Sequence, residues 1–155
     1  MLRILEQADN MQKIFFHSAD KPSKFLHKKK LKSFIELIFK KEGFSLDSLT
    51  YVFCSDLYLL KINREFLRHD FYTDIITFDL SDLNSPVLGE IYISIDRVKE
   101  NATALGFSYQ EELCRVIFHG ALHLCGYGDK KKTEITVMRK KEEQYLRLFK
   151  KQLIT

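Results

Sequence analysis

The eleven residues from His119 to Asp129, HGALHLCGYGD, constrain this 155-residue chain more than any other stretch. Two histidines four positions apart lie on one face of a helix about one turn from each other, so both imidazoles can converge on a single point. Gly126 then ends the helix, because glycine takes the left-handed conformation that closes a helix C-terminus and reverses the chain. Asp129 is thereby brought back toward His119 and His123. Two imidazoles and a carboxylate, with a fourth position left for water, form the donor set of a catalytic metal site, whereas a structural site is usually closed by four ligands.

Histidines at the first and fifth places, glycine at the eighth and a donor at the eleventh match the spacing of the metzincin zinc site. Spacing alone therefore allows a zincin-like metallopeptidase. A zincin keeps a glutamate directly after its first histidine to act as general base, and here that residue is Gly120, which cannot move a proton. What remains is a Lewis-acidic centre without the peptidase base.

Ser108, with Glu111 three residues later, is a capping box that starts the helix carrying both histidines, and Leu113, Val116, Ile117, Ala121 and Leu124 supply its buried face. Alternating or continuous apolar runs predict strands over Lys13–His17, Ser48–Cys54, Asp74–Phe78, the last of these buried, and Val87–Ser94. Helical spacing predicts helices from Pro22-Ser23 to Gly43, from a Ser55-Asp56 cap through Leu67, from about Asp96 to Leu105, and from roughly Lys132 to Leu153. Helices and strands mix without a regular βαβα rhythm. The expected class is α+β, one domain over residues 12–155 with a small mixed sheet of about four strands, preceded by an N-terminal extension at 1–11.

The length suits one domain with its own core, and two prolines and six glycines offer no linker at which to divide it. Cys54, Cys114 and Cys125 are odd in number and share no close-pair motif, which predicts buried thiols in a reducing cytoplasm and not a disulfide framework. Cys125 lies two residues from His123 and so points away from the metal face. The first residues meet charge before any apolar region of useful length, and no window approaches a membrane span. Lys and Arg outnumber Asp and Glu 10 to 6 over residues 1–50 and 9 to 3 over 130–155, but are outnumbered 6 to 12 over 51–129. Basic ends around an acidic centre suit a polyanion whose phosphates contact the flanks while the interior holds a cation. Lys130–Lys132, directly after Asp129, is the better placed cluster, and Lys28–Lys30 the other. His17, His27 and His69 read as surface residues.

The segment His119–Tyr127 resembles the H-G-x-L-H-L-x-G-Y-D-H signature of the YbeY family of metal-dependent endoribonucleases of ribosomal RNA maturation. Thr73-Asp74-Ile75-Ile76-Thr77-Phe78 resembles the family's T-D-V-L-S-F strand, Gly89-Glu90-Ile91 with Ile93-Ser94 its G-E-I-x-I-S strand, and Glu112-Leu113 sits upstream as in the family. Three ordered motifs over roughly residues 50–145 are far more specific than one. The resemblance implies a zincin-like metal helix and a single-strand-specific hydrolase of RNA phosphodiester bonds, active in late processing of the small-subunit ribosomal RNA. It also implies one divalent metal, zinc, and as partners precursor ribosomal RNA with the ribosome or its assembly factors. A non-catalytic assembly factor whose metal only holds the turn is the other reading of the same helix. Two departures stand out: Asp129 replaces the family's third histidine, with Gly128 before it, and ungapped alignment from Thr73 puts Leu67 where the family has an arginine. Arg68, next to it, is the candidate catalytic replacement, with Lys61 behind it; Glu90 is a candidate support or a solvent-facing residue.

Overall fold

Period-two alternation in two apolar segments forms the centre of the sheet, where each strand has a neighbour on both sides. In the computed structural model, which describes residues 11–155, the strands are β1 (Ile14–Ser18), β2 (Leu46–Cys54), β3 (Ile75–Asp79) and β4 (Val87–Ser94). Residues 1–10, most of the expected extension, lie outside the described residues. The order is β1-β2-β4-β3. β1 and β2 are parallel with Ile14 opposite Leu49, and β2 and β4 are parallel with Tyr51 opposite Ile91. β3 returns antiparallel to β4, with Thr77 opposite Ile91. The sheet is thus mixed and four-stranded, and the class is α+β, as the sequence predicts.

Five helices accompany it among the described residues: α1 (Lys28–Lys41), α2 (Asp56–Leu67), α3 (Ile95–Leu105), α4 (Tyr109–Leu124) and α5 (Lys132–Ile154). Parallel strands need a crossover, and α1 supplies it between β1 and β2. None of the helices is long and apolar enough to cross a membrane. The starts of α2, α3 and α4 are set by serines: Ser55, Ser94 and Ser108 accept hydrogen bonds from the backbone N–H groups of Tyr58, Arg97 and Glu111. Only half of the predicted capping box forms. The Glu111 carboxylate accepts instead from Lys150 Nζ on α5 at 2.9 Å.

Two element boundaries differ from expectation. α1 starts at Lys28 and not near Pro22, because Phe25 leaves the helical stripe and packs its ring 4.9 Å from Phe16 and 4.8 Å from Phe53. β3 is an edge strand in which only Ile76 is buried, and not a wholly buried one. A single main core joins β1, β2 and β4 to α1, α4 and α5 through Phe34, Phe39, Tyr51, Phe118 and Tyr145, each at most 1% exposed. Full burial of a large apolar side chain stabilises by about 1.5–3 kcal/mol.

α4 is seated unusually close to the sheet. A Cβ at Gly120 would lie 2.8 Å from Ile91 Cδ1 and 3.0 Å from Ile75 Cδ1, and one at Gly89 would lie 2.8 Å from Leu124 Cδ1 and 3.2 Å from the Phe78 carbonyl oxygen. Tyr51 Oη, fully buried in β2, donates to the Ile117 carbonyl of the same helix at 2.9 Å. Gly120→Leu forces side-chain volume into that contact and is expected to destabilise by about 1–3 kcal/mol. The measurement is a denaturant titration in which the midpoint falls while the slope is retained.

Candidate metal centre

The last turn of α4 closes as the sequence requires. Gly126 has φ +94°, its N–H donates to the His123 carbonyl at 3.0 Å, and the Tyr127 N–H donates to the Leu122 carbonyl at 3.1 Å. Those two bonds define a Schellman motif. The chain leaves it folded back along α4, and Asp129 Oδ2 comes to 3.3 Å from His119 Nε2 and 3.2 Å from His123 Nε2. Donor atoms of the three residues all lie within 4.8 Å of one another. The two rings meet edge to face, with centroids 4.5 Å apart at 88°.

The far sides of both imidazoles are held. His123 Nδ1 lies 2.8 Å from the Tyr127 carbonyl oxygen, which can only accept, so Nδ1 carries a hydrogen, and in the neutral ring Nε2 presents the lone pair. His119 Nδ1 lies 2.5 Å from Glu142 Oε1 on α5, which assigns it the same tautomer. With both rings neutral, two lone pairs and a carboxylate oxygen face one point, where a cation is attracted by all three. The donor set fits zinc: bonds of about 2.0–2.2 Å at tetrahedral angles put neighbouring donors roughly 3.3–3.6 Å apart. The observed spacing to Asp129 is 3.2–3.3 Å.

Behind His119 runs a chain of buried charges. Glu142, only 4% exposed, also accepts from Arg115 Nη1 at 3.2 Å, and Arg115 pairs with the fully buried Glu112. Hydrogen bonds from the Arg115 guanidinium to Glu112, together with the Glu142 charge, outweigh burial and hold the guanidinium protonated. Arg115 is thus occupied by two carboxylates. Behind His123 the Tyr127 hydroxyl donates to Glu42 Oε2 at 2.7 Å, and Glu42 also accepts from Tyr145 Oη and from Lys141 Nζ. Glu42 follows the last residue of α1, so three helices converge on the turn that orients His123.

The centre opens into a cleft of about 580 Å³ whose wall includes Asp74, Thr77, Arg115 and Lys130. Burial pushes the Asp74 carboxyl up, against the pull of His119 and Arg115. Thr77 Oγ1 is buried without a hydrogen-bond partner among the described residues. Lys130 lines the cleft and has no ion-pair partner among them, whereas Lys131 and Lys132 stay outside. Arg68 is exposed at the C-cap of α2, with φ +55°, and does not line the cleft; Leu67 does. Lys61 is exposed on α2, and Glu90 lies outside the cleft wall with Tyr92 Oη donating to it at 3.1 Å. His69, expected at the surface, is exposed but belongs to the cleft wall. Cys125 is buried away from the donors, and burial pushes its thiol up to about 12.

Glu142, Arg115 and Glu42 are the residues that sequence reasoning misses. Glu112, Arg115 and His119 do follow a three-then-four spacing that shares one helix face, a local signal that was there to be used. Glu142 and Glu42 are distant in sequence and leave no such trace.

Burial raises the Glu42 carboxyl, but hydrogen bonds from Tyr145, Tyr127 and Lys141 prevail and hold it below its ordinary 4.5. A depressed folded value contributes stability that is present above the unfolded value and lost as pH falls through the folded one. Glu42→Gln is therefore expected to flatten the fall of stability below pH 4.5, where the wild type loses this contribution. Denaturant midpoints for both proteins across that acid range test it.

The description "Endoribonuclease YbeY" belongs to the family model that matches residues 13–150. A Cytophaga hutchinsonii protein described in the same words is 47% identical over 137 residues, covering 88% of this chain and 96% of that one. A Porphyromonas gingivalis protein so described is 43% identical over 136 residues, covering 88% and 89%. The solution structure of TM1509 from Thermotoga maritima superimposes with a TM-score of 0.63 at 33% identity, covering 88% of each chain. With motifs, fold and near-full-length relatives in agreement, this chain belongs to the Endoribonuclease YbeY family.

Proposed function

We propose that the cleft is the active site of an endoribonuclease that cuts single-stranded RNA during ribosomal RNA maturation, with one zinc ion held by His119, His123 and Asp129. The observation that carries this reading is the 3.2–3.3 Å spacing of two imidazole nitrogens about one carboxylate oxygen at the floor of an open cleft. Family membership supplies the substrate class. When bound there, the metal contributes Lewis acidity toward a phosphodiester oxygen and makes water a stronger nucleophile at neutral pH.

The protein's own groups have separate tasks. Glu142 and the Tyr127 carbonyl keep hydrogens on the two Nδ1 atoms and so keep both Nε2 atoms available as donors. Lys130, next to Asp129 and without a carboxylate of its own among the described residues, binds a substrate phosphate and balances charge that develops on it. It takes the charge-balancing role that the sequence assigns to Arg68, because Lys130 lines the cleft and Arg68 does not. The Thr77 hydroxyl offers a further polar contact. A peptidase reading gains nothing from the geometry, since position 120 faces Ile75 and Ile91 of the sheet. The protein works in the cytoplasm on precursor ribosomal RNA, alongside the ribosome or its assembly factors.

Asp129→Ala and His123→Ala are each expected to lower bound zinc from about one ion per chain to near zero and to abolish cleavage of unstructured RNA while the helical signal is retained. Elemental analysis, circular dichroism and a gel assay on the same preparations decide it; RNA cleavage that survives loss of the metal rules the mechanism out. Glu142→Gln removes the charge behind His119 and is expected to weaken zinc binding about 10–100-fold. Competition against a chromophoric chelator measures this, and an unchanged constant would show that Glu142 serves only packing.

A further inference from the structure

Between α2 and β3 the chain passes through a short connection whose side chains His69, Phe71 and Thr73 line the same cleft as the metal centre. The Phe71 ring stacks on His69, with centroids 5.1 Å apart at 21°, yet the residue stays 55% exposed. Such a ring gains little from burial, so its position needs another cause. That cause is Asn63, which is 1% exposed and whose side-chain Nδ2 donates to the Phe71 carbonyl at 2.9 Å, while its backbone carbonyl accepts the His69 N–H at 3.1 Å. Arg64 pairs with Asp70 across the same loop, and Arg97 lies 5.1 Å over the ring of Tyr72. A buried amide thus fixes the backbone of a loop that holds an open aromatic stack beside three metal donors and Lys130.

We propose that Phe71 and His69 form a stacking subsite for one unpaired base of the strand whose phosphodiester reaches the metal centre. This rests on the nuclease reading above and deepens it. Base-aromatic stacking tolerates any base, because every base has a π-face, and it stabilises single-strand complexes strongly. The cleft, about 580 Å³, is within the range of small-ligand sites, and Lys130 in the same wall provides charge for the adjoining phosphate. A base inside a duplex has both faces covered by its neighbours and cannot take this place. The subsite therefore selects unpaired RNA.

The test is the fluorescence anisotropy of labelled oligouridylate mixed with the metal-loaded full chain and read before cleavage, beside an abasic strand of equal length. Phe71→Ala is expected to weaken oligouridylate binding about tenfold, to leave abasic binding and metal content unchanged, and to be rescued by Phe71→Trp. Where the wild type cuts RNA, unchanged oligouridylate binding by Phe71→Ala overturns the subsite alone, and so does an equal loss on the abasic strand. A wild type that neither binds nor cuts RNA overturns the nuclease reading and the subsite with it.

Discussion

The site depends on how closely α4 lies against the sheet. Gly120 removes the side chain where the helix meets Ile75 and Ile91, and Gly89 removes the one beneath Leu124, so helix and sheet meet through aliphatic tips and backbone. Interiors are packed like crystals and do not deform smoothly, which gives the Schellman turn after Leu124 a fixed origin. Asp129 then reaches the imidazoles through a turn whose bonds are already made. Gly120 is therefore more than a missing peptidase base. The position that carries a glutamate in zincins is used here for contact with the sheet.

Electrostatics add a second constraint on the same helix. Glu112, Arg115 and Glu142 put two carboxylates around one guanidinium, all largely removed from water. Burying an ion costs several kcal/mol unless partners satisfy it, and each of these has one. The surplus carboxylate is directed to His119 Nδ1, so it orients that imidazole and is not left orphaned. His123 is held differently, through a backbone carbonyl in a turn tied by Tyr127 to Glu42. Opposite ends of the chain, α1 and α5, thus converge behind two residues of one helix.

What was legible in the sequence is what is local. Serine caps, the glycine stop and the four-residue histidine spacing all act within a turn or two, and each is found where the residues put it. The class and strand count followed from periodicity for the same reason. The early start expected for α1 failed because Phe25 fits the helical stripe yet packs on Phe16 and Phe53 of the sheet, a tertiary preference that no window of sequence contains. Glu142 and Glu42 were invisible because their partners lie 23 and 85 residues away. His69 looked like an ordinary surface histidine, since nothing local reveals that Asn63 turns its loop toward the cleft.

Asp129 and Lys130 are best understood together. A divalent ion held by three neutral imidazoles keeps both positive charges, whereas two imidazoles and a carboxylate leave one. In the proposed zinc site, Asp129 therefore leaves a weaker pull on a phosphodiester than the three-histidine set that the family signature implies. In the proposed site Lys130 adds a positive charge in the cleft wall at the residue after Asp129, and Coulomb attraction draws a phosphate toward it. Its ammonium has no carboxylate partner among the described residues to neutralise it, unlike Arg115. On this reading Lys130 restores, beside the third ligand, positive charge that a carboxylate ligand takes from the centre.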